Sequence, residues 1–256
     1  MGLDYRYLLF FDRDSELDVL RHLADISAGR PDETSVEVPD SGDFPYRTET
    51  LPFRASGGTP SHLWWDDPAP EWNFATVLAF EPDDAIRFYQ RDDPRLDAQG
   101  SHEIGYIYLT VHRGMEEWAS GADEDVVLFE FGTTGSKMSA MFSESESVRR
   151  AMVRLLEDSR GVCGIFDWED HAVLFWWRGR GLDVELPQAE LDLAEVALSV
   201  PSVEPAAPQP APPAPPEPPS EDDGPEPSFW TPRNSTCDPW WRRMLDRILS
   251  AARRSG

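Results

Sequence analysis

The most regular set of functional side chains lies in the last 20 residues, CDPWWRRMLDRILSAARRSG (237–256). Asp238 followed by Pro239 is typical of a helix start, because an acidic N-cap accepts amide hydrogen bonds and proline fits the first helical position. At about 100° per residue, the helix that follows has an apolar face and a polar face. The apolar face comprises Trp240, Trp241, Met244, Leu245, Ile248, Leu249, Ala251 and Ala252, and the polar face comprises Arg242, Arg243, Asp246, Arg247, Ser250, Arg253 and Arg254.

This predicted helix is basic, and a helix of about 15 residues needs a surface on which to bury its apolar face. A groove on a partner protein would bind Trp241, Leu245 and Ile248 as anchors, with the arginines at its rim. An anionic membrane would accept the paired tryptophans at its interface and would attract each arginine by up to about 1 kcal/mol. The acidic body of the same chain is the third candidate surface.

A proline-rich segment separates this helix from the rest of the chain. Residues 201–227 contain 12 of the 24 prolines, six acidic residues and no basic residue. Such a composition predicts an extended, disordered linker, roughly 80 Å long at about 3.1 Å per residue. We therefore expect a globular domain over residues 1–200, a linker over 201–228 and a helical tail over 229–256. A helix that only completed a core would have a shorter connection, which favours docking on a partner or a membrane.

The chain as a whole is strongly acidic. It has 48 acidic and 23 basic residues, and its formal net charge is −25. An acidic body repels nucleic acid, so direct nucleic-acid binding by the globular domain is not expected. Such a body could instead neutralise a basic partner. The competing explanation is compositional, because Lys137 is the only lysine among the basic residues, as is common in proteins from GC-rich bacterial genomes.

A second candidate site is a loop rich in tryptophan and acid, LWWDDPAPEWNF (63–74). Trp64, Trp65 and Trp72 offer flat rings, and the carboxylates beside them accept hydrogen bonds. This combination is suited to binding a sugar or a peptide. The alternative is that the same tryptophans cover the core of the domain.

Patterns for catalysis or cofactor binding are weak in the body. FGTTGSK (131–137) has two residues between its glycines, where a phosphate-binding P-loop has four, so a hairpin turn is predicted. Cys163 lies in an apolar strand pattern and is expected to be a core thiol. His102 and His112 lie more than about 30 Å apart on one predicted strand, which is too far for a shared metal. We expect no metal and no cofactor, and leave a small-molecule ligand open.

The elements that position these residues alternate between strand and helix patterns. LDYRYLLFF (3–11) predicts a strand whose one face carries Tyr5, Tyr7, Leu9 and Phe11. KMSAMF (137–142) is predicted as a strand, and GVCGIFDW with AVLFWWRG (161–179) as a hairpin. Between them, the clearest helical stripe comprises Val148, Ala151, Met152, Leu155 and Leu156. These patterns predict an α+β domain with a mostly antiparallel sheet and two or three helices, compatible with duplication of a βαββ unit.

The sequence favours a non-enzymatic adaptor or recruitment protein. Its acidic globular domain would bind a specific partner, and its tethered basic helix would dock on a second protein or on an anionic membrane. Two alternatives are an inhibitor or immunity protein that neutralises a basic toxin such as a nuclease, and an enzyme whose active site is not recognisable from sequence. Two distant cysteines and the lack of an apolar run of about 18 residues predict a cytoplasmic protein, with peripheral membrane association as a variant.

Overall fold

The computed structural model describes residues 5–28, 33–40, 46–114, 125–168, 171–186 and 193–200. All of them belong to one unit that ends at Val200. The predicted linker (201–228) and the predicted basic helix, with its candidate binding residues from Trp240 to Arg254, lie outside the described residues. For these two segments the sequence-based predictions stand untested.

An antiparallel sheet of eight strands forms the larger part of the fold. Its strands are β1 (Tyr5–Asp12), β4 (Arg54–Ala55), β6 (Glu71–Phe80), β7 (His102–His112), β8 (Val126–Thr133), β9 (Gly161–Trp168), β10 (His171–Trp177) and β11 (Arg180–Leu186). They are arranged in the order β11-β10-β9-β1-β8-β7-β6-β4. β1 pairs with β8 on one side and β9 on the other, and its apolar run is buried on both faces of the sheet because a hydrophobic cluster packs on each face.

Three shorter strands form a second sheet, comprising β2 (Thr34–Pro39), β3 (Tyr46–Leu51) and β5 (His62–Trp64). The central strand β2 pairs antiparallel with β3 and parallel with β5. Along β2 the buried residues Val36 and Val38 alternate with the more accessible Ser35 and Glu37. The small sheet therefore turns one face to the core and one face to solvent.

Five α-helices lie within the described residues: α1 (Glu16–Asp25), α2 (Asp84–Gln90), α3 (Ser136–Glu144), α4 (Glu146–Asp158) and α5 (Leu193–Ser199). The first four contribute to a core that includes Tyr7 and Leu9 on one face of β1. The last helix, α5, packs with the opposite face, which carries Leu8 and Phe10. We call this second face of the large sheet the outer face.

The α+β class and the mostly antiparallel sheet predicted from the sequence are confirmed. Tyr7, Leu9 and Phe11 share one buried cluster, as the alternation along β1 predicts. The predicted helical stripe belongs to α4. The predicted hairpin is formed by β9 and β10, in which Trp168 lies opposite His171.

The predictions for residues 131–142 are wrong. The segment 137–142, predicted as a strand, belongs to α3, and FGTTGSK (131–137) connects β8 to this helix instead of joining two strands. Met138, Met141 and Phe142 are buried in α3, and their i, i+3, i+4 spacing is helical. A short apolar run fits either a strand or a helix, so its periodicity alone does not determine which of the two forms.

Two further details of the predicted fold also change. The described residues contain five α-helices where two or three were predicted. The second βαββ unit lacks its first strand, and β2 and β3 of the first unit belong to the small sheet rather than lying beside β1. The predicted duplication therefore has no counterpart in the strand order.

Candidate binding surfaces

Side chains on the outer face form rows that run across the strands. Residues directly opposite each other in an antiparallel sheet lie about 5 Å apart on the same face, so the pairing defines each row. The first row runs from β4 to β11 through Arg54, Ala75, Tyr108, Gly132, Arg6, Asp167, Ala172 and Leu186. The second row runs from β6 to β11 through Asn73, Thr110, Glu130, Leu8, Ile165, Leu174 and Val184. The third row runs from β6 to β11 through Glu71, His112, Leu128, Phe10, Cys163, Trp177 and Arg180.

These rows divide the outer face into two halves. The apolar half consists of buried side chains in the centre and toward β11, namely Leu8, Phe10, Leu128, Cys163, Ile165 and Leu174. Among the described elements, α5 packs on this half through Leu193 and Val196. The polar half crosses the strands from β6 to β9 and consists of Arg6, Glu71, Asn73, Tyr108, Thr110, His112, Glu130 and Asp167.

A chain of ion pairs crosses five strands of the polar half. The Nε of Arg6 lies 2.7 Å from Asp167 Oδ2, and its Nη1 lies 3.1 Å from Glu130 Oε1. The other oxygen of Glu130 is 3.1 Å from His112 Nε2, and His112 Nδ1 is 3.5 Å from Glu71 Oε2. Each basic group therefore lies between two carboxylates.

This arrangement shifts the pKa of the two central groups. Burial by itself would raise the pKa of Glu130, but the hydrogen bond from His112 and the charge of Arg6 hold it below its usual value. Burial would lower the pKa of Arg6, whereas Asp167 and Glu130 raise it above its usual value. Both groups are consequently charged at neutral pH.

Two tyrosines project from the polar side of β7. The side chain of Tyr108 is 55% exposed and that of Tyr106 is 38% exposed. Tyr108 lies between Ala75 on β6 and Gly132 on β8, so neither strand neighbour covers its ring. Gly132 also separates Tyr108 from Arg6 by two strand spacings, about 10 Å. The row thus presents the ring of Tyr108 and the guanidinium group of Arg6, separated by a gap where Gly132 has no side chain.

Neither tyrosine was predicted to be a site residue. In EIGYIYLTVH (103–112), the buried Ile107 and Leu109 alternate with the exposed tyrosines, which is the pattern of a strand with one accessible face. That alternation is visible in the sequence. The alternation does not show which part of a sheet face another element will cover. The polar half is the part that the described elements leave uncovered, so the sequence alone did not identify it.

The three tryptophans of the predicted ligand loop divide into a packed pair, Trp65 and Trp72, and one exposed ring, Trp64. Trp72 on β6 is buried in the core at 1% exposure, and Trp65 packs partly buried against the same core. Arg113 stacks on both rings, with its guanidinium carbon 4.2 Å from the centre of Trp72 and 5.4 Å from that of Trp65. Trp64 alone is largely accessible, at 46% exposure. The three rings therefore share no common surface.

A buried ion pair holds this loop against the sheet. Arg113 Nε lies 2.9 Å from Glu16 Oε1, and the arginine also donates to the carbonyl oxygens of Trp65 and Asp67, each at 2.7 Å. Glu16 is fully buried. Burial raises the pKa of Glu16, and the nearby charge of Arg113 lowers it only in part. The pair is structural and stabilises the loop in one position.

A pocket of about 350 Å³ lies between α1 and α4. Its lining carries both signs of charge, with the acids Asp25, Glu81 and Asp158 and the bases Arg150 and Arg154. Neither arginine forms an ion pair with another described residue. The two signs offset each other, so the lining has no clear preference for an anion or a cation.

A serine and a histidine meet beside this pocket. His22 Nδ1 lies 2.8 Å from Ser159 Oγ, which is the contact expected of a nucleophile and its base. Ser159 is 3% exposed, however, and within the described part of the chain no carboxylate is bonded to the other ring nitrogen of His22. Without access and an orienting acid, the contact instead joins α1 to the end of α4.

Two further expectations concern Cys163 and metal binding. Cys163 is fully buried in the apolar half, as predicted for a core thiol, and burial raises its pKa well above the usual value. The described ranges contain no group of three or more histidine, cysteine or acidic side chains arranged to hold a metal ion.

In the part of the chain that the structure covers, none of the helices is both long enough and apolar enough to span a bilayer.

Comparisons of the chain with protein-family models, with curated proteins and with solved structures gave no match, so a functional assignment depends on its own residues and geometry.

Proposed function

We propose that this protein is a non-enzymatic adaptor. Its body binds a partner protein through the polar half of the outer face, and its basic tail helix docks on a second protein or on an anionic membrane. The observation that carries the proposal is the exposed Tyr108 ring beside Gly132, in one row with Arg6. Tyrosine and arginine often dominate interface energies, because they combine a large contact area with directional hydrogen bonds.

The geometry of the polar half favours binding over catalysis. Both ring nitrogens of His112 face carboxylates, Glu71 and Glu130, so the ring is oriented by these partners rather than toward a substrate proton. The surface is also a sheet face, whereas most reactions are carried out in a cleft that excludes water. Rigid strands with satisfied charges suit recognition of a folded partner.

The tail supplies the second contact of the proposed adaptor. Its sequence predicts Trp241, Leu245 and Ile248 as anchors, with arginines at the rim of the contact. A linker of roughly 80 Å is long enough for both contacts to form in the same assembly. Two moderate affinities would then combine into one stronger attachment.

The proposal is tested by affinity capture from a lysate of the host, with the full-length protein as bait and mass spectrometry as the readout. We expect one set of proteins to be lost with the double variant Tyr106→Ala/Tyr108→Ala and a different set to be lost with Trp241→Asp/Leu245→Asp. The matched control is Phe88→Ala, because Phe88 is equally exposed but lies on α2. Recovery of the same proteins with all four baits would contradict the proposal.

Sedimentation with lipid vesicles separates the two possible targets of the tail. Pelleting with anionic but not with neutral vesicles, lost in Trp241→Asp/Leu245→Asp, would assign the tail to a membrane. No pelleting with either lipid would remove the membrane from the candidate targets. Removal of residues 229–256 should leave the urea midpoint of the body unchanged, and a large fall in that midpoint would place the tail in the core instead.

A further inference from the structure

The solvent-facing side of the small sheet carries a compact group of aromatic rings. Tyr46 and Trp64 have ring centres 5.3 Å apart, and His62 and Trp64 have centres 5.8 Å apart. Both pairs are nearly perpendicular, at 88° and 89°. We call Tyr46, His62 and Trp64 the aromatic corner. It lies on different strands from the polar half.

The strand order shows that the two larger rings lean toward each other. Tyr46 is on β3 and Trp64 is on β5, the two edge strands, with β2 between them. Edge strands of a three-stranded sheet are about 10 Å apart, roughly twice the distance between these ring centres. The rings therefore meet above β2 and form an L-shaped corner over its outward side chains.

Most polar groups around the corner are already paired with one another. The Tyr46 hydroxyl donates to Asp66 Oδ2 at 3.0 Å, and the Thr48 hydroxyl donates to Glu37 Oε1 at 2.7 Å. The indole N–H of Trp64 makes no hydrogen bond to any other described residue. His62 Nδ1 lies 2.8 Å from Ser35 Oγ, and its Nε2 lies 3.9 Å from Glu37 Oε1. The corner thus combines apolar ring surface with the indole donor of Trp64.

This combination matches the chemistry of a polyproline II peptide. Proline rings pack on perpendicular aromatic walls, and the exposed carbonyl groups of such a peptide accept hydrogen bonds from donors such as an indole N–H. A proline-rich chain is also extended before binding, so little entropy is lost. A saccharide is the competing ligand, because Asp66 and Glu37 each keep an oxygen that can accept its hydroxyl groups.

The charge around the corner selects among proline-rich segments. Glu37 and Asp66 lie beside the rings and carry negative charge. Basic residues that flank the prolines would be attracted to them. The proline-rich segment 201–227 of this chain has six acidic residues and no basic one, so its charge is unfavourable for a contact between copies.

We propose that the aromatic corner binds a proline-rich peptide of a partner protein, with arginine or lysine beside the prolines. Trp64 and Tyr46 form the walls that contact the proline rings, and the indole N–H of Trp64 donates to a peptide carbonyl. The inference goes beyond the adaptor function because it concerns another surface and another class of ligand, and it stands if the polar half proves to bind nothing.

The test uses the full-length protein and fluorescein-labelled synthetic peptides, with fluorescence anisotropy as the readout. The probes are eight prolines flanked by two arginines at each end, the same prolines flanked by aspartates, and a Gly-Ser peptide of equal length flanked by arginines. We expect the arginine-flanked proline peptide to bind most tightly. Trp64→Ala and Tyr46→Ala should each weaken its binding at least tenfold, whereas Phe88→Ala should leave it unchanged.

Three results would overturn the inference. The first is equal binding of the Gly-Ser and proline peptides, which would indicate attraction by charge alone. The second is binding that Trp64→Ala does not weaken. The third is no peptide binding together with retardation of the protein in gels containing neutral polysaccharides that depends on Trp64, which would assign the corner to sugars. Urea unfolding of each variant confirms that it is folded, as expected because Trp64 is almost half exposed.

Discussion

The two halves of the outer face share strands but differ in how far they are exposed to solvent. In the apolar half, Leu8 and Phe10 are fully buried, and α5 packs against the surrounding cluster. In the polar half, Tyr108 on β7 is more than half exposed, and Arg6, on the same strand as Leu8 and Phe10, forms ion pairs near solvent. The comparison teaches that one face of a sheet can be buried core over one part of its strands and open to solvent over another.

The largest expected difference between the halves comes from truncating one aromatic ring in each. Phe10→Ala removes a fully buried ring and should lower the free energy of unfolding by about 3–5 kcal/mol, because a cavity forms in addition to the loss of burial. Tyr108→Ala on the open half should change it by less than about 0.5 kcal/mol. Urea unfolding monitored by circular dichroism measures both. Equal losses would show that something covers Tyr108.

A second comparison sets a buried ion pair against an exposed one. Arg113→Met leaves the Glu16 carboxylate buried without its partner, and the expected loss at pH 7 is about 3–5 kcal/mol. Arg6→Met removes two partly exposed ion pairs, with Glu130 and Asp167, and should cost less, about 1 kcal/mol.

The pH dependence of Arg113→Met checks the cause of its loss. The pKa of Glu16 is already raised by burial and rises further when Arg113 is removed. An acid whose pKa is higher in the folded than in the unfolded protein destabilises the folded state as the pH rises from the unfolded pKa to the folded one. The loss of unfolding free energy in the variant, relative to wild type, should therefore be smaller at pH 5 than at pH 7. An unfolding free energy difference that is the same at both pH values would argue for lost packing rather than lost charge.

Two glycines provide a comparison of intermediate size. In Gly161→Ala on β9, the new Cβ would lie 2.7 Å from the Leu156 Cα of α4, so overpacking should cost about 1–3 kcal/mol. In Gly132→Ala on the polar half, the nearest atom is 3.9 Å away, and alanine should stabilise the strand by about 0.5 kcal/mol. Thermal unfolding of the two variants should therefore shift the midpoint in opposite directions. A loss in Gly132→Ala would indicate a neighbour above the gap beside Tyr108.

A small effect is also expected for Glu130→Gln in the polar half. The pKa of Glu130 is lowered in the folded state, so its charge stabilises the protein above the usual glutamate pKa of about 4.3, and this contribution is lost as pH falls through the lowered pKa. The free energy of unfolding of the wild-type protein should exceed that of the variant by less than about 1 kcal/mol at pH 7, and by less still near pH 4. A difference that grows on acidification would contradict the assignment of the ion-pair chain.

Periodic segments predicted the fold best. The alternation in β1 and the stripe of α4 were correct because long patterns determine both the element and its buried face. Residues 137–142 were misassigned because six residues contain too few turns to separate the periods. Composition alone also did not show which tryptophans of the predicted loop would be buried, since it does not distinguish the buried Trp72 from the exposed Trp64.

The sequence by itself determined the α+β class, the mostly antiparallel sheet and the core positions of the longest elements, because local periodicity and burial are linked residue by residue. The tertiary structure alone decided which polar groups meet. Asp167, Arg6 and Glu130 are distant in sequence and become neighbours only through the pairing of β9, β1 and β8. The aromatic corner likewise exists only because β2 brings Tyr46 and Trp64 to either side of it.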